Sequence, residues 1–218
     1  MCWNADISMN TFLFACFALS FVYFTHTYTR YKTPTFNNPL VYLYLFVVAS
    51  MQLLEFFLWR NLNKTSMNNL VSKIVTVNIT FQPLILMCMI ESSIIRYTMI
   101  GIYALFILLY RWYKDLYHPF YFHTSVHKGH LKWDWTDAKD FEKGMHFIYL
   151  AIYVCSFLLI RNSLLTFFGL LSMFLTFYFY FKDGTFGSMW CWFLNIFLLY
   201  FIVNILLVQP FLEYNGLC

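Results

Sequence analysis

Residues 39–59 read PLVYLYLFVVASMQLLEFFLW, with one charged side chain, Glu55, and with Arg60 directly after the run. An α-helix rises 1.5 Å per residue, so about 20 mostly apolar residues cross the hydrocarbon core of a bilayer. The run has that length. Similar runs lie on either side of it. A first spans about 9–28 and meets Arg30 and Lys32, then a turn with Pro34, Asn37 and Asn38. A third spans about 69–90 and a fourth about 97–113, separated by the short polar stretch from Glu91 to Arg96, so the pair reads as a tight helical hairpin. A fifth spans about 146–160, a sixth about 164–181 and a seventh about 188–212. Arg161-Asn162-Ser163 and Lys182-Asp183-Gly184 mark the turns between them. The expected architecture is an all-α, polytopic transmembrane bundle of seven helices, one domain over 1–218.

Composition leads to the same class. Of 218 residues, 61% are hydrophobic and only 11% charged, against about a quarter charged in ordinary soluble domains. A small soluble domain has too much surface for its volume to hide that much apolar material. The 17 Tyr and 7 Trp suit the headgroup layer, where amphipathic rings sit well. The net charge of +4 reports loop charge, and no basic run interleaved with stacking aromatics suggests nucleic-acid binding. The expected partner is the lipid bilayer. No cleavable signal is evident, so the first apolar run reads as a retained helix.

Lys and Arg accumulate on the cytoplasmic side of membrane proteins. With the N-terminus on one side, that side collects Arg60, Lys64, Lys73, Arg111, Lys114, Lys128, Lys132, Lys139, Lys143 and Lys182. The other collects Arg30, Lys32, Arg96 and Arg161. The expected topology has the N-terminus inside and the C-terminus outside.

Two helices echo one another. Val77-Asn78-Ile79 leads to Gln82-Pro83 in the third, and Val203-Asn204-Ile205 leads to Gln209-Pro210 in the seventh. Matching third and seventh members suggest three helices, a linker helix and three more, a parallel repeat used by transporters. Coincidence is the competing explanation, since Val, Ile and Asn are common here and the first two helices do not visibly match the fifth and sixth.

Amides and carboxyls inside a bilayer are costly and tend to face a cavity or one another. Gln52, Glu55 and Trp59 lie late in the second helix. Asn78 and Gln82 are four apart, on one face. Asn204 and Gln209 are five apart, which would splay them on a regular helix, and Asn195 precedes Asn204 by nine residues in the same run. Each Pro after a Gln removes a backbone donor and frees carbonyls. One reading is a mid-membrane pocket for a small neutral solute, lined by Asn78, Gln82, Asn204 and Gln209, with Glu55 and Trp59 near its mouth. The other is amide glue between helices, worth about 0.6–2 kcal/mol per contact without any ligand.

The long polar segment, about 114–145, reads as a loop on the membrane surface, with an interfacial helix near 137–143. Its His118, His123, His127 and His130, with His146, Asp134, Asp137 and Asp140, lack a metal-ligand pattern. Neither a metal nor a cofactor is expected. Gly129-His130-Leu131 with Trp133 and Trp135 reads instead as a segment docked at the headgroups. The six Cys show no paired spacing. No nucleophile elbow, P-loop or dinucleotide fingerprint is present, and no Lys in the seventh helix could hold a retinal. A thiol enzyme would need Cys2, His130 and Cys191 to converge.

Met1-Cys2-Trp3-Asn4 with Ser8, Asn10-Thr11-Phe12, Met51-Gln52-Leu53 with Glu55 and Trp59, Gln82-Pro83, and Ser188-Met189-Trp190-Cys191-Trp192 with Asn195 resemble segments of a family of multi-pass membrane proteins from large DNA viruses of algae and protists. That resemblance implies a viral source and a host or virion internal membrane, and no activity. The three-one-three plan with paired Asn is similar to the sugar-transporter and PQ-loop superfamily, which implies a central pocket for a small solute. Here the dipeptide is Gln-Pro, in the third and seventh helices, rather than Pro-Gln in the first helix of each triple. Three functions follow: a small-solute transporter or channel, a structural or assembly protein of a viral membrane, and a membrane-embedded enzyme.

Overall fold

The structure is a computed structural model that describes residues 4–117, 122–133 and 140–216. Cys2, His118, Asp134, Trp135 and Asp137 lie outside the described residues. The helices are α1 (Ala5–Tyr28), α2 (Pro39–Arg60), α3 (Thr65–Cys88), α4 (Ser93–Tyr117), α5 (Asp140–Leu159), α6 (Ser163–Tyr180), α7 (Phe186–Val203) and the short α8 (Gln209–Tyr214). A 3-10 turn, Pro34–Phe36, precedes α2, and a π turn, Asn204–Val208, joins α7 to α8. Between α4 and α5 lies a β-hairpin of β1 (Thr124–His127) and β2 (His130–Trp133).

The chain is an all-α bundle. Among the described residues, six helices are long and apolar enough to cross a membrane, counting α7 through α8 as one run, while the apolar part of α5 is the shorter stretch His146–Leu159. The polar markers in the sequence act as helix starts. The side chains of Asn4, Asn38 and Asn162 accept from backbone N–H groups of Ile7, Leu40 and Leu165, satisfying donors that a helix start leaves open.

Contacts between turns sort them into two ends. At one, Lys128 in the hairpin pairs with Asp183 before α7 at 2.7 Å, and the hairpin bonds to Asn68 at the start of α3. At the other, Arg161 pairs with Glu91 at 2.9 Å, Asn162 donates to Thr35 O at 3.0 Å, and Glu213 receives both Arg30 and Tyr31. Successive helices therefore run in alternating directions.

Helix α2 is central, packed against α1, α3 and α7, while α4 touches mainly α3 and α5. The outward surface is apolar: Phe17, Leu105, Leu108, Phe174, Leu206 and Phe211 are all more than half exposed. Such a surface is tolerable only in lipid, where all these groups find an apolar solvent.

Several bounds differ from the sequence expectation, among them the starts of α1 at Ala5 and α5 at Asp140 rather than about 9 and 146. Helix α3 starts at Thr65, four residues earlier, because Asn68 and Ser72 are polar yet fully buried against the hairpin. Helix α4 extends to Tyr117, with Arg111 and Asp115 paired one turn apart at 3.0 Å. The surface loop expected over 114–145 contains the hairpin, and this packs into the bundle end: Thr124 and Leu131 are fully buried and Trp133 nearly so. Its turn is the two-residue Lys128-Gly129, both at positive φ (49° and 78°). Two positive φ values mark the type I′ turn whose twist matches a hairpin, and Gly at the second position is its usual residue.

Candidate functional site

Beside α2, polar side chains from four helices meet in an otherwise apolar interior. Helix α2 contributes Tyr44 and Glu55, both fully buried. Helix α3 contributes Asn78 and Gln82, α5 contributes Tyr149 and Tyr153, and α7 contributes Cys191. Gln82 is the hub. Its Nε2 donates to Asn78 Oδ1 at 2.9 Å, its Oε1 accepts from Tyr153 Oη at 3.4 Å, and the Cys191 thiol lies beside it. The Tyr153 and Tyr44 hydroxyls lie 2.9 Å apart. Asn78 Nδ2 reaches α2, donating to Ser50 Oγ at 2.7 Å and to Val47 O at 3.2 Å. Glu55 lies within electrostatic reach of Cys191. The ring of Tyr153 packs edge-on against Trp190 at 4.7 Å, and Trp190 Nε1 donates to Ser172 on α6.

Helical spacing explains much of this. Asn78 and Gln82 are one turn apart on α3, and Tyr149 and Tyr153 one turn apart on α5. Pro83 shapes the site from within. It has no N–H, so the Ile79 carbonyl one turn earlier loses its helix partner. The Tyr149 hydroxyl donates to that oxygen at 3.1 Å, and Tyr103 on α4 donates to the neighbouring Thr80 carbonyl at 2.8 Å. The carbonyl that the proline frees is held by a phenol from α5 rather than left for a solute.

Of the expected site residues, Glu55, Asn78 and Gln82 fall in or beside this cluster, and Gln52 is fully buried on α2. Trp59 is half-buried one turn beyond Glu55, its Nε1 enclosed without a partner among the described residues. Glu55 points inward, while the nearby Arg60 lies over the Phe56 ring at 5.7 Å. Asn195 lies in the α2–α7 seam, its Nδ2 bonded to Trp192 O at 3.1 Å and its Oδ1 enclosed without a partner among the described residues. Together with Leu45, Val48, Ala49, Cys191 and Leu198 it lines an interstice with no room for a water molecule.

Asn78 and Asn204 are not brought together. Asn78 is bound to the middle of α2. Asn204 lies at the far end of α7, where Gln209 Nε2 donates to its Oδ1 at 2.9 Å and also approaches Lys32 O. The five-residue spacing that would splay this pair on a regular helix is absorbed by the π turn between them.

Nor do Cys191 and His130 converge. His130 stands edge-on to Tyr180 at 5.6 Å, and its imidazole is pushed below the usual range by burial, with Asp183 opposing in part. No group of three or more His, Cys, Asp or Glu among the described residues is placed to hold a metal. The tyrosines of the site carry no distinguishing mark in the sequence, because 17 of them are spread along the chain. The i, i+4 spacing of Tyr149 and Tyr153 is a local signal, but Tyr113 and Tyr117 share it.

Comparison with protein-family models, with curated proteins and with solved structures finds no match for this chain.

Proposed function

We propose that this multi-pass membrane protein carries a small, hydrogen-bonding solute between α2, α3, α5 and α7, with Glu55, Gln82, Tyr153 and Cys191 as the polar contacts along the path. The observation that carries this reading is the meeting, in a buried interior, of a carboxyl, amides, phenols and a thiol from four helices. Two helices need only one amide pair to be joined, and each further ionisable or amide group in a membrane interior is costly. Gln82 and the two phenols offer both donors and acceptors, which suits a neutral solute with hydroxyl or amide groups. The closed α2–α7 seam corresponds in this reading to an occluded state, which rocking of α7 and α1 against α2 would open, as in carriers built from helix triples. The Lys/Arg excess at the hairpin end makes that end the inner one.

The test is uptake by proteoliposomes, together with thermal stabilisation in detergent, across a panel of small polyols, sugars and amides. Gln82→Ala should abolish both effects of an active solute while the fold persists. If no solute gives uptake or raises the unfolding temperature of the wild type, the carrier reading fails.

A structural role in assembling a membrane is supported by a different observation, the Asn78 side chain binding α3 to α2 through Val47 and Ser50. It predicts a stable partner protein that co-purifies, and no response to any solute.

A further inference from the structure

We propose that the π turn Asn204–Val208 is a register switch: in one register α8 holds the turn between α1 and α2, and in the other it releases it. The observation behind this is a polar face that only the π turn makes continuous. Tyr200, Asn204, Gln209 and Glu213 lie along the end of α7 and α8. In an unbroken α-helix, at about 100° per residue, Gln209 would stand roughly 180° round from Tyr200, with Glu213 beside it. In the structure the four are joined on one side. Asn204 Nδ2 donates to Tyr200 Oη at 3.5 Å, and Gln209 Nε2 donates to Asn204 Oδ1 at 2.9 Å. Gln209 Nε2 also reaches Lys32 O at 3.4 Å. Glu213, one turn further on, accepts from Tyr31 Oη at 3.0 Å and pairs with Arg30.

The alternative register is an ordinary α-helix. The Gln209 N–H, now bonded to Asn204 O, would bond to Ile205 O instead. Helix α8 would then turn by about 100° and advance by about 1.5 Å relative to α7. Gln209 would leave Asn204 and Lys32, and Glu213 would leave Tyr31 and Arg30, all in one step. Contacts made before the π turn would stay. Phe36 of the α1–α2 turn stands edge-on to Phe201 at 4.9 Å, so that turn keeps its seat on α7 while α8 lets go.

Two features bring the registers close in energy. Pro210 has no N–H, so the backbone bond that would follow Gln209 is missing from both. The apolar side chains that would turn, Leu207, Val208 and Phe211, are exposed, and no residue of α8 is buried. Lipid is as apolar as the bundle interior, so moving them through it changes little. The polar contacts to the α1–α2 turn are what favour the π register. An element with two packings of similar energy is one that a ligand or a partner can bias.

The switch is read directly as a distance. Spin labels carried on non-canonical residues at Asn37 and Tyr214, both exposed, report it by pulsed electron resonance on the full chain in nanodiscs. Glu213→Ala should add a second distance that differs by about 5–10 Å from the first, the arc of a side chain through that rotation. A single unchanged distance in both proteins would overturn the switch. Deleting Leu207 leaves a regular helix with Gln209 and Glu213 in their present places. It should give the first distance alone, and should still do so when combined with Glu213→Ala. A second distance in that combination would mean that α8 swings away without a change of register, and would overturn the switch. Deletion of Leu206, also exposed, takes its place if the first deletion does not fold.

Use of the switch as a gate at the end opposite the hairpin rests on the carrier reading. The Leu207 deletion, fixed in the latched register, should block uptake of any solute the wild type carries. Uptake that continues would overturn the gate and leave both the carrier reading and the switch standing. A wild type that carries nothing would remove the carrier reading, and the distances alone would then decide the switch.

Discussion

Gln209 donates to Asn204 at 2.9 Å across five residues, the same length as the bond from Gln82 to Asn78 across four. The extra residue is taken up by the π turn Asn204–Val208, whose i→i+5 bond joins Gln209 N to Asn204 O. A π turn is a one-residue insertion in a helix and often marks a functional position. The two ends of the echo therefore share an internal amide clamp followed by proline. They do not share a location: one clamp is in the interior and the other at the far end of α7.

If both clamps form in the membrane, double-mutant cycles should give equal coupling. Asn78→Ala with Gln82→Ala, and Asn204→Ala with Gln209→Ala, should each show about 0.6–2 kcal/mol by thermal or steric-trap unfolding. A normal value for the first cycle with none for the second would mean that the π turn does not hold its amide pair.

Tyr149→Phe should destabilise by about 1–3 kcal/mol, because it leaves the Ile79 carbonyl buried without its donor. In a Pro83→Ala background the restored N–H can serve that carbonyl, so the same change should cost much less. Equal losses in the two backgrounds would contradict the link between Pro83 and Tyr149.

Gly169 is a packing position. A Cβ there would lie 2.3 Å from the Phe157 ring, which is fully buried and packed against Tyr44 and Tyr153. Gly169→Ala should cost about 1–3 kcal/mol by overpacking. Phe157→Leu should recover part of that loss when combined with it. A neutral Gly169→Ala in unfolding measurements would show that α5 and α6 yield more easily than this contact implies.

Acid should loosen the hairpin. Burial holds the His130 imidazole below its usual range, so its seat favours the neutral ring. That contribution is complete above the unfolded value of about 6.5 and is lost as pH falls through the folded one. Lys128 holds the Asp183 carboxyl below the ordinary carboxylate range, with His127 and His130 adding smaller pulls. This contribution is lost at still lower pH, as the folded Asp183 value is crossed. Hairpin amides, corrected for intrinsic rates, should be less protected at pH 5.5 than at 7.5, and His130→Phe should flatten the dependence. Protection that is the same at both pH values would exclude His130 as the sensitive group.

Much of the fold was legible because lipid imposes a local rule. A run of about 20 apolar residues closed by Arg, Lys or a Pro-Asn turn is a spanning helix wherever it occurs, and Asn38 and Asn162 mark starts through their own side chains. The sequence by itself thus determined the class, the helices and the polar candidates on α2 and α3. Tertiary structure alone decided which of them meet. In water, burial separates an apolar inner face from a polar outer one, but lipid is as apolar as the bundle interior. The faces of α5, α6 and α7 therefore carry little hydropathy contrast, and nothing local selects Tyr153 over Tyr178 or Cys191 over Cys155. That choice comes from how α2 packs between α1, α3 and α7.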